Sequence, residues 1–168
     1  MNMELERGQK MAAEVIKRLS PYCQTTVRPG NKVRHWIEVA GSIRRKKPFV
    51  NDIDLVLIPT DLWNLHTELM KLGQLKMSGQ KIIRVMVGNT QIDIYVADED
   101  TWATLLLIRT GSAENNIRLA TLAKKRGWRL AASGDGLFNE RGQRIAGDTE
   151  ESIYQALNLR YQQPWERG

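Results

Sequence analysis

Two aspartates, Asp52 and Asp54, interrupt a strongly apolar run that continues to Ile58 and ends at Pro59. A short apolar run closed by a proline predicts a buried β-strand. Alternate residues of a strand share one face, so the two carboxylates are expected about 7 Å apart between their Cα atoms. Two bare carboxylates at that spacing repel each other, and one is driven towards protonation unless a cation binds between them. The pair therefore predicts a buried cation site.

A third acid repeats the anomaly further along the chain, where Asp93 lies between Ile92 and Ile94. A solvated strand edge is the plain alternative for such acids, but apolar neighbours on both sides leave little room for it. Mg²⁺ prefers oxygen ligands, and three carboxylates on adjacent strands can hold two such ions for phosphoryl transfer. Asp52, Asp54 and Asp93 are therefore predicted to be buried together as catalytic ligands of two Mg²⁺, which Mn²⁺ can replace.

A Gly-Ser pair precedes the first two aspartates by ten residues, with arginines in between. Gly41 lets a triphosphate approach the backbone closely, Ser42 offers a hydroxyl donor, and Arg45 offers a positive charge. A lone Gly-Ser pair predicts nothing, but this spacing predicts a phosphate-binding turn beside the acids.

The chain is basic, with a formal net charge of +6 at pH 7 over 168 residues. Its cations cluster between Arg28 and Lys47, opposed only by Glu38, and again between Lys124 and Arg129. Local clusters of this kind bind phosphates, so a nucleic acid or nucleotide partner is predicted.

The composition excludes several other classes of protein. One cysteine rules out an intramolecular disulfide, and with two histidines it cannot complete a zinc site. The apolar stretches are too short to cross a bilayer, and no signal-peptide pattern opens the chain. A cytoplasmic monomer without membrane contact is expected, in a bacterial nucleoid or inside an infected host cell.

Hydrophobic periodicity predicts an α+β chain. Helices are expected over residues 5–20, 61–72, 101–110 and 112–126, and from residue 148 or 149 to residue 158. Strands are expected over residues 34–41, 51–59, 128–133 and 143–147, with a hairpin over residues 81–98 that turns at Gly88–Asn89. Residues 25–32 are predicted to form a loop, and a subdomain boundary is placed near residue 105.

The glycine-serine turn, the paired arginines, the D-x-D strand and the later aspartate together resemble the polymerase-beta-like nucleotidyltransferases. The segments TGSAENNIRLATLAKKRGWRL, GLFNERGQRIAGDTEESIYQALNL and YQQPWER look like the C-terminal subdomain of family X DNA polymerases, especially bacterial ones. The resemblance covers roughly residues 5–168. It implies a palm in residues 1–105, with a mixed sheet and helices on one side, and a small α/β nucleotide- and template-binding subdomain in residues 106–168.

The resemblance implies a Mg²⁺-dependent, DNA-directed DNA polymerase that adds dNTPs to a primer 3′-hydroxyl and fills short gaps in DNA repair. Asp52 and Asp54 would each bridge both metals, and Asp93 would bind the catalytic metal near the primer hydroxyl. Only one helix fits before the predicted palm. A minimal form without the N-terminal lyase and helix-hairpin-helix domains is therefore expected.

The resemblance also implies which side chains contact the substrates. The nucleotide would contact Gly41, Ser42, Arg45 and Arg7 with its phosphates, Thr110 and Gly111 with its sugar, and Asn116 with its base. DNA would be bound weakly and in a salt-sensitive way by Arg44, Lys46, Lys47, Arg118, Lys124, Lys125 and Arg126.

Some positions depart from the family pattern. Ile108–Arg109 replace an aromatic pair that selects deoxyribose, and Ala120 replaces an arginine on the template strand, for which Arg118 could substitute. Gln91 replaces an arginine that pairs with the third aspartate, so Asp93 is expected to be less restrained. Two other functions stay open: a nucleotidyltransferase that is template-independent or uses RNA or another acceptor, and a catalytically silent nucleic-acid-binding module.

Overall fold

The computed structural model describes residues 2–168. In chain order, the elements up to residue 96 are β1 (Met3–Glu4), α1 (Leu5–Leu19), β2 (Thr25–Arg28), β3 (Lys32–His35), β4 (Ile37–Val39), α2 (Gly41–Arg44), β5 (Phe49–Val50), β6 (Ile53–Leu57), α3 (Leu62–Leu72), β7 (Gln74–Ser78), β8 (Ile82–Val87) and β9 (Thr90–Val96). The remaining elements are α4 (Trp102–Thr110), α5 (Ala113–Lys125), β10 (Arg129–Ala131), β11 (Gly136–Phe138), β12 (Arg144–Ala146) and α6 (Glu150–Ala156).

A five-stranded sheet in the order β4-β6-β9-β8-β7 forms the centre of the molecule. Strands β6 and β9 run parallel, and the other neighbouring pairs are antiparallel. The predicted α+β class with a mixed sheet is thereby confirmed. The parallel register places Asp54 directly opposite Asp93. Strand pairing therefore brings together two acids that are distant in the sequence.

Strand β6 sends its side chains into two different cores because successive side chains point to opposite faces. Ile53, Leu55 and Leu57 pack in the core that α1 and α3 cover. Val56 and Ile58 pack on the other face against α4. Asp54 shares this second face, two residues before Val56. The acid therefore lies beyond the apolar part of that face, near the end of the covering helix.

The C-terminal part has its own core, in which α5 and α6 pack with the three-stranded sheet β10-β11-β12. A buried carboxylate ties this part to the central sheet: Glu150 accepts from Arg44 of α2 at 2.6 Å and from Arg167 at 2.7 Å. These charges stay paired because a lone buried charge would be strongly destabilising. The predicted boundary at residues 105–106 falls within α4 and stays a prediction.

The elements differ from the sequence prediction in a few places. Residues 25–32, predicted as a loop, contribute to the β2–β3 hairpin, whose exposed strands pair around a turn with positive φ at Gly30 and Asn31. Both strands are exposed along most of their length, so they lack the apolar alternation on which the prediction relied. The turn at Gly41 opens a short helix, and β11 adds a strand between the two that were predicted.

No helix within residues 2–168 is both long enough and apolar enough to span a bilayer.

Candidate active site

A cleft of about 530 Å³ opens where the acid-bearing strands meet the end of α4 and the start of α5. Most of the residues predicted to act on the nucleotide line it: Gly41, Ser42, Arg45, Asp52, Asp54, Gly111 and Asn116. Lys47, predicted to contact DNA, lines it as well. The fold therefore brings the Gly-Ser turn, the aspartate pair and the T-G turn to one place.

The three aspartates differ in exposure, contrary to the expectation that all three are buried. Asp52 precedes the first residue of β6 and is exposed, because the strand begins only at Ile53. Asp54 is half-buried, and Asp93 is buried with 4% of its surface exposed. The exposure of the acids therefore decreases from Asp52 at the open cleft to Asp93 within the sheet.

Negative charge accumulates around Asp54. Burial, together with the smaller effects of the Asp93 and Asp52 charges, raises the pKa of this carboxyl to about 6, while Arg109 and Arg45 oppose the shift. The ionised carboxylate is thus disfavoured mainly by its burial, which Arg109 and Arg45 offset only in part. A bound cation would favour the ionised form.

Asp93 is held by two neighbours on the sheet. Arg84 donates from Nε to Asp93 Oδ1 at 2.7 Å and from Nη2 to Oδ2 at 3.3 Å, and Gln91 Nε2 donates to Oδ2 at 3.1 Å. The expectation that Asp93 is less restrained was therefore wrong. Arg84 supplies the missing arginine from the neighbouring strand, where the register places it opposite Asp93.

Arg84 could have been found from the sequence. In a hairpin that turns at Gly88–Asn89, the paired residues lie equally far from the turn on its two sides. Arg84 is therefore paired with Asp93. The register of the predicted hairpin, counted outward from its turn, therefore contains this pair.

The acids do not form a finished metal site in this structure. Within residues 2–168, no three His, Cys, Asp or Glu side chains form a group that could hold a metal ion. Both oxygens of Asp93 accept hydrogen bonds, Oδ1 from Arg84 and Oδ2 from Arg84 and Gln91. The donor set still fits a hard divalent cation, because Asp52 and Asp54 are carboxylates and the raised pKa of Asp54 reflects burial and uncompensated negative charge.

Gly41 has to be a glycine. Its φ is +60°, and a Cβ atom there would lie 2.2 Å from Asp54 Oδ2. The turn is therefore packed directly against the acid, with Ser42 following in the cleft wall. This contact explains why the turn and the D-x-D strand form one unit.

Arg45 is held at the T-G turn. Its Nη1 donates to the Thr110 carbonyl at 2.6 Å and its Nε donates to the Gly168 carbonyl at 3.3 Å. Burial lowers its pKa, although Asp54 opposes this shift. Thr110 itself is buried behind the cleft, where its hydroxyl accepts from Arg44.

Other predicted residues lie elsewhere. Arg7 lines a separate cavity near Val87–Thr90 and is not among the cleft residues. Arg44 is half-buried in the ion pair with Glu150, so its prediction as a DNA contact is corrected: the guanidinium joins two parts of the fold. No local pattern in the sequence indicates this pair, because the partners are 106 residues apart.

The remaining predicted DNA contacts are two arginines that bind within the protein and four exposed lysines. Arg126 donates to the Ala156 and Leu157 carbonyls at the end of α6, and Arg118 donates to Asn115 and Gln162. The lysines are exposed, and Lys46 lies 4.3 Å from the Trp165 ring centre. Lys47, Lys124 and Lys125 are also exposed and remain predictions as DNA contacts.

Arg109 also lines the cleft, at a position where the sequence departs from the family pattern. Its guanidinium lies 4.2 Å from the ring centre of Tyr95, which follows Asp93 on the same face of β9. Burial is the largest cause that raises the pKa of Tyr95 to about 12, and the adjacent carboxylates add to it. Arg109 thus adds a cation close to the acids.

The chain is similar to known proteins in two respects. Residues 105–168 match the family described as DNA polymerase beta thumb. Over 101 residues, which are 56% of this chain, the sequence is 30% identical to DNA polymerase/3'-5' exonuclease PolX of Bacillus subtilis (strain 168). The matched part is 18% of that relative, so the chain spans about a fifth of its length.

Proposed function

Since this chain is a family X DNA polymerase-like protein, we propose that it adds dNTPs to a primer 3′-hydroxyl under the direction of a DNA template. Its role would be to fill short gaps in DNA repair. The observation that carries the proposal is the pairing of Asp54 with Asp93 on parallel strands, beside a cleft that Ser42 and Arg45 also line. This arrangement places acids for cations next to donors for phosphates.

Two Mg²⁺ ions are proposed as cofactors, with Mn²⁺ able to replace them. Asp52 and Asp54 would hold both ions, and Asp93 would join one of them in exchange for its bonds to Arg84. When bound, Mg²⁺ neutralises charge on the transferring phosphoryl group and lowers the pKa of the attacking hydroxyl.

The side chains of the protein would position the reactants. Ser42 and Arg45 would hold the β- and γ-phosphates, and the primer 3′-oxygen would attack the α-phosphorus in line. The new bond joins that oxygen to phosphorus, the bond from the α-phosphorus to the pyrophosphate oxygen breaks, and pyrophosphate leaves. Asp93 would orient the primer hydroxyl or accept its proton. Most of the rate enhancement would come from orientation and charge neutralisation.

DNA would be bound mainly through its phosphates by the exposed lysines Lys46, Lys47, Lys124 and Lys125. Contacts of this kind weaken steeply with salt. Weak, distributive synthesis is therefore expected. The proposed active form is a monomer.

A template-independent nucleotidyltransferase is the second candidate, and two observations favour it. Arg118, which could have replaced the missing template contact at Ala120, donates instead to Asn115 and Gln162 within the protein. Position 120 itself, where the family pattern has an arginine on the template strand, is an uncharged alanine.

Primer extension tests the two candidates together. Purified protein is given Mg²⁺ and dNTPs on gapped, recessed and single-stranded DNA of the same primer sequence. Template-directed synthesis predicts insertion of the nucleotide complementary to each template base on gapped and recessed DNA, and no insertion on single-stranded DNA. Equal extension of the single strand would overturn the template-directed proposal in favour of the second candidate.

The Asp93→Asn variant separates an enzyme from a silent binding module. We expect it to abolish incorporation and to leave DNA affinity unchanged or higher, because one negative charge near the phosphates is lost. Asp100→Asn, on an exposed loop, is the matched control and should change neither. Tight DNA binding without incorporation by the unmodified protein would contradict the proposed activity.

A further inference from the structure

Two polar side-chain atoms stand out by lacking partners. Within residues 2–168, the buried side-chain nitrogen and oxygen atoms without a hydrogen bond are Arg109 Nε and Asn116 Oδ1. Both residues line the same cleft. Buried polar atoms are nearly always paired, and an unpaired one costs free energy comparable to a lost hydrogen bond. Two such atoms in one cleft point to a ligand that pairs them.

Each side chain is held by its other contacts. The Arg109 guanidinium stacks on Tyr95 at 4.2 Å. Asn116 Nδ2 donates to the Ile108 carbonyl at 2.8 Å, which leaves Oδ1 as the free end of the amide. The unpaired atoms are therefore one donor and one acceptor. Both atoms are covered in this structure, so a ligand reaches them only after each side chain rotates, and rotamer changes are common on binding.

The rest of the cleft is already matched to other parts of a nucleotide. Ser42, Arg45 and Lys47 suit phosphates, and Asp52 and Asp54 suit cations. The donor and acceptor of Arg109 and Asn116 remain for the nucleoside. An enzyme that accepts four bases cannot use one fixed donor-acceptor pair on base edges that differ. The sugar is common to all four nucleotides.

A hydroxyl matches this pair because it accepts one hydrogen bond and donates another. We propose that Arg109 Nε–H donates to the 2′-hydroxyl of the incoming nucleotide and that Asn116 Oδ1 accepts from it. This assignment replaces the base contact that the family resemblance implies for Asn116. The inference rests on the proposed nucleotidyl transfer and extends its substrates from dNTPs to ribonucleoside triphosphates. Ribonucleoside triphosphates are used at least as well as their deoxy counterparts, since the 2′-hydroxyl distinguishes the two sugars.

Single-nucleotide incorporation tests this assignment. We compare kcat/KM for ATP, dATP and 3′-deoxy-ATP, and measure the affinity of each for the protein in Mg²⁺. The expected ribo-to-deoxy ratio is one or above. Arg109→Met and Asn116→Leu should each lower it about tenfold. This is near the upper limit for a hydrogen bond between neutral groups and near the lower limit for one that involves a charged group. A ratio below one, or a ratio that both variants leave unchanged, overturns the inference.

Two further substitutions distinguish a hydrogen bond at Arg109 from a purely electrostatic effect. Arg109→Lys keeps the positive charge but lacks the Nε–H donor, so it should also lower the ratio, whereas a purely electrostatic role predicts no change. Arg18→Met, an exposed arginine of α1 paired with Glu68, is the matched control and should leave the ratio unchanged. If 3′-deoxy-ATP is used less well than ATP while dATP is not, and both variants remove this difference, the 3′-hydroxyl is the bound group and the assignment is overturned.

The proposed function and this inference fail in different ways. Absence of incorporation with either sugar contradicts nucleotidyl transfer itself. Incorporation of dATP with rejection of ATP leaves nucleotidyl transfer intact and overturns the 2′-hydroxyl contact alone.

Discussion

Replacing Asp54 by asparagine is expected to stabilise the metal-free protein. Burial, with smaller effects from Asp93 and Asp52, raises the pKa of Asp54 to about 6 from its ordinary value of 3.8. A raised pKa means that ionisation costs free energy in the folded state. Asparagine removes the charge and keeps the shape of the side chain. The variant therefore gains stability at the expense of the proposed cation site.

The magnitude and its pH dependence follow from proton linkage. One pKa unit corresponds to about 1.4 kcal/mol, so a shift of about two units corresponds to about 3 kcal/mol when the carboxyl is ionised in both states. The folded protein binds the proton more tightly than the unfolded chain, so ionisation lowers stability as the pH rises through about 4 to about 6. The advantage of Asp54→Asn is therefore complete above about pH 7 and vanishes as the pH falls below about 4.

Thermal unfolding in EDTA measures this difference. For a chain of this size, about 3 kcal/mol corresponds to a rise of about 6–12 °C in the unfolding midpoint. The comparison is made near pH 8 and near pH 4 with Asp100→Asn as control, because exposed surface substitutions change stability by about 0.5 kcal/mol or less. Mg²⁺ should raise the midpoint of the unmodified protein and not that of the variant. An Asp54→Asn protein no more stable than the unmodified one near pH 8 would refute the reasoning.

Three further outcomes are expected. Arg84→Met should lower the Mg²⁺ concentration needed for half-maximal incorporation, because the arginine competes with the ion for Asp93; an unchanged Mg²⁺ titration would contradict this competition. Glu150→Gln leaves the buried guanidinium of Arg167 and the half-buried one of Arg44 without their acid. It should cost about 3–5 kcal/mol in urea unfolding, whereas a loss below about 1 kcal/mol would show that the pair is solvated. Replacing Lys124 and Lys125 by alanine should reduce the slope of log affinity for DNA against log salt by about 2 if both contact phosphates, and an identical slope would exclude both.

Much of the site could be predicted from local sequence patterns. An acid within an apolar run is unusual wherever it occurs, so Asp54 and Asp93 were identifiable without knowing the fold. Strand periodicity placed them on buried strands, and the turn at Gly88–Asn89 even encoded the pairing of Arg84 with Asp93. These features depend on spacings of a few residues, which the chain carries in its own order.

Burial and long-range partners could not be predicted in the same way. Asp52 shares the D-x-D pattern but is exposed, because the strand begins one residue after it. Arg44 and Arg45 are neighbours in sequence, yet one pairs with Glu150 in the interior and the other reaches the Thr110 carbonyl beside the cleft. Which of two adjacent cations faces a ligand depends on the packing around each.

The amino-acid sequence by itself determined the α+β class, the acid-bearing strands and the glycine-serine turn, because hydrophobic period and turn chemistry act between close neighbours. Tertiary structure alone decided that Asp54 faces Asp93, that Arg109 stacks on Tyr95 beside them, and that Glu150 unites two arginines. Such contacts join residues tens of positions apart or depend on how separate elements pack. Their energies depend on burial and distance, which exist only once the chain has packed.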